Sequence, residues 1–205
     1  MELLPLRSLL KVPRQARSRQ MVRDVLDAAE RILRQEGTTA LNTNRVASVA
    51  GISPGSLYQY FANRDMIVAA ILERRALEVA AEVHRMLACA PASPDAAPRL
   101  MLESLLAVLE RHTSELAGTL GAPKLTGAGG LATVLGPYAT AAIGELAALA
   151  GVPVPEERAT RFVLASTLLS SVLRWTAPPP AHISRTDLVR ALLLAFQGLG
   201  LQAAV

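Results

Sequence analysis

At 205 residues and 51% apolar composition, the chain has room for a small domain joined to a larger one and material for a real core, which excludes global disorder. Its formal net charge of +4 is uneven: residues 1–64 hold ten Arg and Lys against five Asp and Glu, while the remainder hold eleven against twelve, so a basic head suited to nucleic acid sits on a nearly neutral body. Cys89 is the only cysteine, which excludes an intramolecular disulfide and a cysteine-built zinc cluster and fits a reducing cytosol.

No targeting segment is recognisable, since the apolar residues 3–10 are broken by Pro5 and Arg7. Residues 125–144 have the length of a membrane span but carry five glycines, Pro137 and three threonines, and read as a soluble, loosely structured region. Arg outnumbers Lys nineteen to two beside abundant Ala, a bias expected of a GC-rich bacterial genome.

Residues 1–16, ending in KVPRQA, are expected to form a flexible basic arm. Such an arm either reaches into the minor groove of DNA, where Arg is favoured, or is a solvated tail. Arg17 and Arg19 lie closer to the fold and are better phosphate candidates. Ser18 reads as the N-cap of a first amphipathic helix, in which Val22, Val25, Leu26, Ala29, Ile32 and Leu33 recur at helical spacing and Gly37 supplies the stop. Asn42 caps a second helix with Val46, Ala47 and Ala50 turned inward, and Gly51 ends it.

Several signals agree at the next turn. Ser53 is an N-cap, and Pro54 takes the first helical position, where its missing amide costs nothing. Ile52 before the cap and Leu57 four residues into the helix match a hydrophobic staple, which fixes the angle of entry. Leu57 and Phe61 then face the core, leaving Gly55, Ser56, Tyr58, Gln59 and Tyr60 on or beside a free face, although Tyr60 reads equally well as a core residue. That face is poor in charge and rich in hydroxyls, an amide and flat rings. Gln bonds adenine bidentately, tyrosine hydroxyls reach phosphates, and glycine admits close backbone approach. Asn63 caps a fourth helix, so Arg64 falls in its first turn, where a cation opposes the helix dipole unless a phosphate lies beside it. Two short helices joined in this way read as a helix-turn-helix that enters DNA.

The run NTNRVASVAGISPGSLYQYFANR at residues 42–64, with PRQARSR at 13–19 and the first helix, resembles the DNA-binding signature of the tetracycline-repressor (TetR) family. A multi-position pattern of this kind is specific where a lone short motif is not. The resemblance spans about residues 13–71 and departs mildly at Ala62, Asn63 and Arg64, where many members have proline and lysine. It implies an all-α fold: a three-helix DNA-binding domain at 17–64 after the arm of 1–16, then a helical ligand-binding and dimerisation domain at 65–205. It further implies that Thr43, Tyr58, Tyr60 and Arg64 contact phosphates and that Asn44, Pro54, Gly55 and Gln59 face bases. Arg17 and Ser56 join them as candidates by position, whereas Arg45 reads as a solvated helix residue and is assigned no base.

Beyond Asp65, an apolar pattern through Met66, Ile67, Ala70, Ile71, Leu77, Val83 and Leu87 runs to Ala90, as one long helix or two in tandem, and PASPDAAP at 91–98 ends it. Further helices are expected over 100–116, 138–150 and 155–175, with only short pieces over 118–136. A last one, capped by Ser184 or Thr186, reaches about residue 199. GAGGLA at 127–132 fits a relaxed dinucleotide-binding pattern, but no strand precedes it and no acid follows at the required distance, so it reads as a flap near a cavity. In the family resembled, the body holds a small-molecule pocket and pairs with a second copy through its last two long helices, here 156–176 and 185–199. Leu164, Leu168, Leu188, Leu192 and Phe196 suit such a dimer face, or equally a monomer core. Pocket candidates are Met101, Leu105, His112, Leu116, Tyr138, Phe162 and Trp175, in surroundings suited to an uncharged hydrophobic effector, with His112 and Trp175 also readable as ordinary core residues.

His84, His112 and His182 are too scattered for a metal motif, and no nucleophile-base signature or phosphate loop is present, so neither an enzyme nor a metal or other cofactor is expected. The whole reads as a cytoplasmic, homodimeric, ligand-responsive repressor of a pseudo-palindromic double-stranded DNA operator, without membrane association. A DNA-binding regulator controlled by a protein partner is the alternative, and a helical enzyme a third.

Overall fold

The structure, a computed structural model, describes residues 6–88, 103–104, 106–108, 110–112 and 184–201. Among the described residues there are helices at Ala16–Glu36 (α1), Thr43–Ala50 (α2), Pro54–Tyr58 (α3), Arg64–Ala88 (α4) and Arg185–Leu201 (α5), helical residues between 103 and 112, and no strand.

The apolar positions read from α1 are the ones it buries: Val22, Val25, Leu26, Ala29, Ile32 and Leu33 all face the core. The helix starts earlier than its sequence suggests. Gln15 is the N-cap, and Ser18, expected in that role, sits in the first turn, where its hydroxyl accepts from the Gln15 N–H (3.2 Å) and donates to the Gln15 carbonyl (2.9 Å). A small hydroxyl serves the open amides of a helix start from either side, so the two positions give similar signals. Gly37 takes φ +84° at the far end, as the stop there requires.

α1 packs on α2 and α4, and α2 on α3. Leu41, between α1 and α2, is 1% exposed, so the link is part of the core. Phe61, fully buried, and Leu57 close the base of the head beneath α3. The core is continuous from these residues along α4, through Ile67, Ile71, Ala76, Val79 and Val83, to Leu106, Val108, Val189 and Leu192. α4 is one helix of 25 residues, about 37 Å long at 1.5 Å per residue, which resolves the choice between one helix and two. Among the described residues no helix is long and apolar enough to cross a membrane.

A polar clamp fastens α4 to α1. Glu30, buried on the inner side of α1, takes Arg74 on one oxygen (2.8 Å) and Arg75 on the other (2.7 Å), while Arg74 also reaches Asp27 and Arg75 reaches Glu78. Burial pulls the Arg74 pKa down, but the bonds to Glu30 and Asp27 outweigh it and the net shift is upward, so its charge is secured. Buried charges of this kind make removal of one partner costly.

Residues 6–10 differ from the flexible arm expected of them. Leu6 is buried, the Ser8 N–H and hydroxyl both donate to one carboxylate oxygen of Glu73 (3.2 and 2.9 Å), and the Leu10 N–H donates to the Tyr60 carbonyl (3.0 Å). A buried leucine and three backbone or side-chain bonds outweigh the tendency of a terminus to stay loose.

Ser184 caps α5 in reciprocal bonds with Asp187: its hydroxyl accepts from the Asp187 N–H (3.1 Å), and the carboxylate accepts from the Ser184 hydroxyl (2.6 Å) and N–H (3.2 Å). Those bonds, the hydroxyl first, hold the Asp187 carboxyl below its usual range. Thr186, the other candidate cap, is an exposed helix residue. Leu192 is buried in the core with Val189, and Leu188 packs against it, so these positions serve the protomer's own interior. Leu164, Leu168 and the side chain of Phe196 lie outside the described residues.

Candidate nucleic-acid interface

The α2–α3 corner is built from short-range bonds. The Asn42 side chain accepts from the Arg45 N–H (2.8 Å), starting α2. Gly51 ends it at φ +69°, ψ +29°, with its N–H on the Ser48 carbonyl (3.3 Å) and the Ile52 N–H on the Ala47 carbonyl (3.0 Å). This pair of reversed bonds satisfies carbonyls that would be left open and needs a left-handed residue between them, the place for glycine. The Ser53 hydroxyl then accepts from the Ser56 N–H (3.1 Å), with Pro54 at the first helical position. Ile52 and Leu57, one on each side of that cap, both join the core, as a staple requires.

These caps set where α3 begins and the turn by which it leaves α2. Pro54, Gly55, Tyr58 and Gln59 are exposed, and Tyr58 shows 46% of its surface. A Cβ on Gly55 would meet only the Ser53 hydroxyl, at 4.0 Å, so the fold does not need a glycine there. Its effect is on the outer side, where the bare backbone admits close approach. The regular helix is shorter than the expected 54–60: it stops at Tyr58, Gln59 stays in helical conformation, and the Tyr60 and Phe61 N–H groups both fold back on the Leu57 carbonyl (2.9 and 3.0 Å). That fold-back turns the next residue inward.

Tyr60 is accordingly corrected from the reading face to the core. It is 5% exposed and belongs to the same buried cluster as Leu57 and Phe61. Ser56 is half-buried, and its hydroxyl lies 2.9 Å from that of Ser53, where it supports the cap. The Thr43 and Tyr58 hydroxyls, fifteen residues apart in sequence, are 2.9 Å from each other. The start of α2 and the end of α3 therefore present two hydroxyls as one unit, a pairing no sequence signal announces. Asn44 is exposed beside it.

The surrounding charge separates into occupied and free cations. Arg45 turns back to Glu36 (2.8 Å), a bond that holds the Glu36 carboxyl below its usual range and the guanidinium above its own. Arg17 and Arg64 are exposed and meet no carboxylate among the described residues. Arg64 follows Asn63, whose side chain accepts from the Met66 N–H (3.0 Å) as the cap of α4. The exposed residues of α3 are thus polar or small and uncharged, and Arg64 stands exposed six residues on, at the start of α4.

Of the expected pocket residues only His112 is described; Met101, Leu105, Leu116, Tyr138, Phe162 and Trp175 lie outside the described residues. His112 is buried with its Nε2 3.2 Å from a Glu82 oxygen, and Nδ1 has no hydrogen-bond partner among the described residues. Glu82 also binds Arg111, and these contacts, Arg111 first, draw the Glu82 carboxyl down. The histidine is a link between α4 and the 106–112 segment. Among the described residues no cluster of metal-binding side chains occurs.

Comparison with known proteins agrees with this geometry. Residues 25–71 match the family model for bacterial regulatory proteins of the tetR family, a span that holds α2, α3 and the start of α4. Two Mycobacterium tuberculosis proteins, from the CDC 1551 and H37Rv strains, both named as uncharacterised HTH-type transcriptional regulators, are 34% identical over 59 residues. That match covers 29% of this chain and 29% of each relative. Among solved structures, the TetR family repressor AlkX from Dietzia sp. strain DQ12-45-1b is similar at a TM-score of 0.61 and 21% identity, over 87% of this chain and 97% of that one. A TetR-family regulator from Mesorhizobium loti is similar at 0.54 and 17% identity, over 90% and 98%. At these identities the likeness is one of fold: an N-terminal helix-turn-helix domain followed by a helical domain.

Proposed function

The chain belongs to the TetR family of bacterial regulatory proteins, and from that premise we propose that it is a ligand-responsive repressor that binds a pseudo-palindromic DNA operator as a homodimer. The observation that carries the DNA reading is the face of α3. Its exposed Pro54, Gly55, Tyr58 and Gln59 take no part in the core, yet caps, a left-handed glycine and a buried staple hold the helix in one orientation. A surface so firmly presented and so little used by the fold suits a rigid partner. A major groove fits: Gln59 offers the amide that pairs with adenine, Asn44 a second one, and the Thr43–Tyr58 hydroxyl pair and the exposed Arg17 and Arg64 offer groups suited to phosphates.

One α3 reads only a few base pairs, so a two-fold dimer with half-sites about 34–36 Å apart gives the specificity that one head lacks. Control by a small hydrophobic effector rests on α4. Its cap follows the reading turn directly, its middle is clamped to α1, and its far half meets the body through Glu82, Arg111 and His112. A ligand that favours one placement of the far half biases the head to the same degree, which couples two sites through one two-state element.

The test is selection of duplexes from a random-sequence pool by the full-length chain. Two inverted half-sites about one helical turn apart are the expected product. Recovery of no duplex above a non-binding control overturns the reading, and recovery of a single unrepeated half-site overturns its dimeric part.

A further inference from the structure

Ahead of the helix-turn-helix lies a segment whose charge has no use in the fold. Between Glu2 and Asp24 the sequence has six basic residues and no acid. Within it, Arg7, Lys11, Arg14 and Arg17 are exposed, and none meets a carboxylate among the described residues. A loose tail would scatter these charges in solvent, but residues 6–14 are tied down at several points. Leu6 is buried in the same core as α1 and α4, Ser8 is bound twice by Glu73 of α4, and the Leu10 N–H meets the Tyr60 carbonyl at the end of the reading helix. At the other end, the Arg14 carbonyl accepts from the Arg19 guanidinium (2.6 Å) and Gln15 caps α1. Lys11 thus directly follows a residue bonded to the turn that ends the reading helix, and Arg14 directly precedes the N-cap of α1.

Resting on the DNA reading above, we propose that residues 6–14 form a strap that is a second, preorganised DNA contact, in which Lys11 and Arg14 bind backbone phosphates flanking the groove that α3 enters. The chemistry requires only cations held near a polyanion, and the strap supplies them with the backbone ordering cost already met in the free protein. Its neighbours favour the same partner. Leu10 and Val12 are more than half exposed, yet each stands beside Lys11, so the patch is too charged to dock on an apolar surface. The anchor to Glu73 gives the strap a second property: it is held at once by α4 and by the end of α3, so its cations move with the reading helix when α4 shifts.

The experiment uses the full chain and a duplex recovered from the random pool, with affinity measured as a function of salt. Each phosphate contact contributes about 0.9 to the slope of log affinity against log salt, so Lys11→Ala with Arg14→Ala lowers that slope by about two. Between 50 and 200 mM salt the double variant then loses about tenfold less affinity than the parent. The ranking of duplexes by sequence stays the same, because phosphates carry no base information. Arg85→Ala is the matched control: this exposed arginine lies in the last turn of α4, about 30 Å along the helix from Arg64, and its removal leaves the slope as it was. A double variant whose slope equals the parent's, or falls no further than that of Arg85→Ala, overturns the strap while leaving the DNA reading in place. A pool that yields no duplex overturns both.

Discussion

The head and the long helix behind it are held by different kinds of force. α2 and α3 have eight and five residues, too few to be stable by propensity, and they are fixed by bonds that span three to five positions: Asn42 to Arg45, Gly51 and Ile52 back to Ser48 and Ala47, Ser53 to Ser56. α4 depends on partners far away in sequence: Glu73 on Ser8, Arg74 and Arg75 on Asp27 and Glu30, Glu82 on Arg111 and His112. The head is thereby a rigid presenter set by local chemistry. The lever is adjustable in principle, because its position depends on contacts that another part of the chain can change.

The largest expected effects test whether the two regions share one core. Phe61→Ala removes a fully buried ring at the base of the head and lowers stability by about 3–5 kcal/mol, read by chemical denaturation. If head and lever are one cooperative unit, α1 and α4 melt together in that variant; separate transitions would break the continuity described above. Glu30→Ala comes next. It leaves Arg74, 12% exposed, with only the outward Asp27, and costs about 3 kcal/mol. A loss under about 0.5 kcal/mol would show that the clamp is a surface pair after all. A smaller effect isolates the local chemistry of the head. Gly51→Ala forces a Cβ into the left-handed region, although no atom lies within 4 Å of it, so the cost is conformational and about 1–2 kcal/mol in a thermal melt.

The smallest is a matter of pH. The Arg45 bond holds the Glu36 carboxyl below its ordinary 4.5 in the fold, so its contribution is fully present above that value and fades as pH falls through the lowered folded pKa. Glu36→Gln flattens this part of the acid limb, seen as a weaker change of the denaturation midpoint below about pH 5. An acid limb identical in the two proteins would mean that the pair is too solvated to matter.

The same contrast explains what could be read in the sequence. The caps at Asn42, Ser53 and Asn63 and the stops at Gly37 and Gly51 carry their signal within a few residues, and all five stand where that signal put them. The buried face of α1 was equally legible, because 3.6-residue periodicity is a local property. Tyr60 was ambiguous for a physical reason: its place depends on whether the helix ends at Tyr58, and helical spacing alone does not say where a short helix stops. The clamp and the strap were not legible. Glu30 lies 44 and 45 positions from Arg74 and Arg75, and a charge on a helix face does not name its partner. Ser8 and Glu73 gave no signal at all, since their bond spans 65 positions.

The measurement that bears most directly on the account is affinity for the selected duplex in Gln59→Ala and Tyr58→Ala, taken with the thermal melt of each protein. Both residues are exposed, so both variants should keep stability within about 0.5 kcal/mol of the parent. Loss of a bidentate base contact is worth about 1–3 kcal/mol, so Gln59→Ala should bind roughly tenfold or more weakly and discriminate less at one position of each half-site. Tyr58→Ala should weaken binding to every duplex alike, as the loss of a phosphate contact does. Two folded variants that bind as tightly and as selectively as the parent would contradict the assignment of α3 as the reading helix.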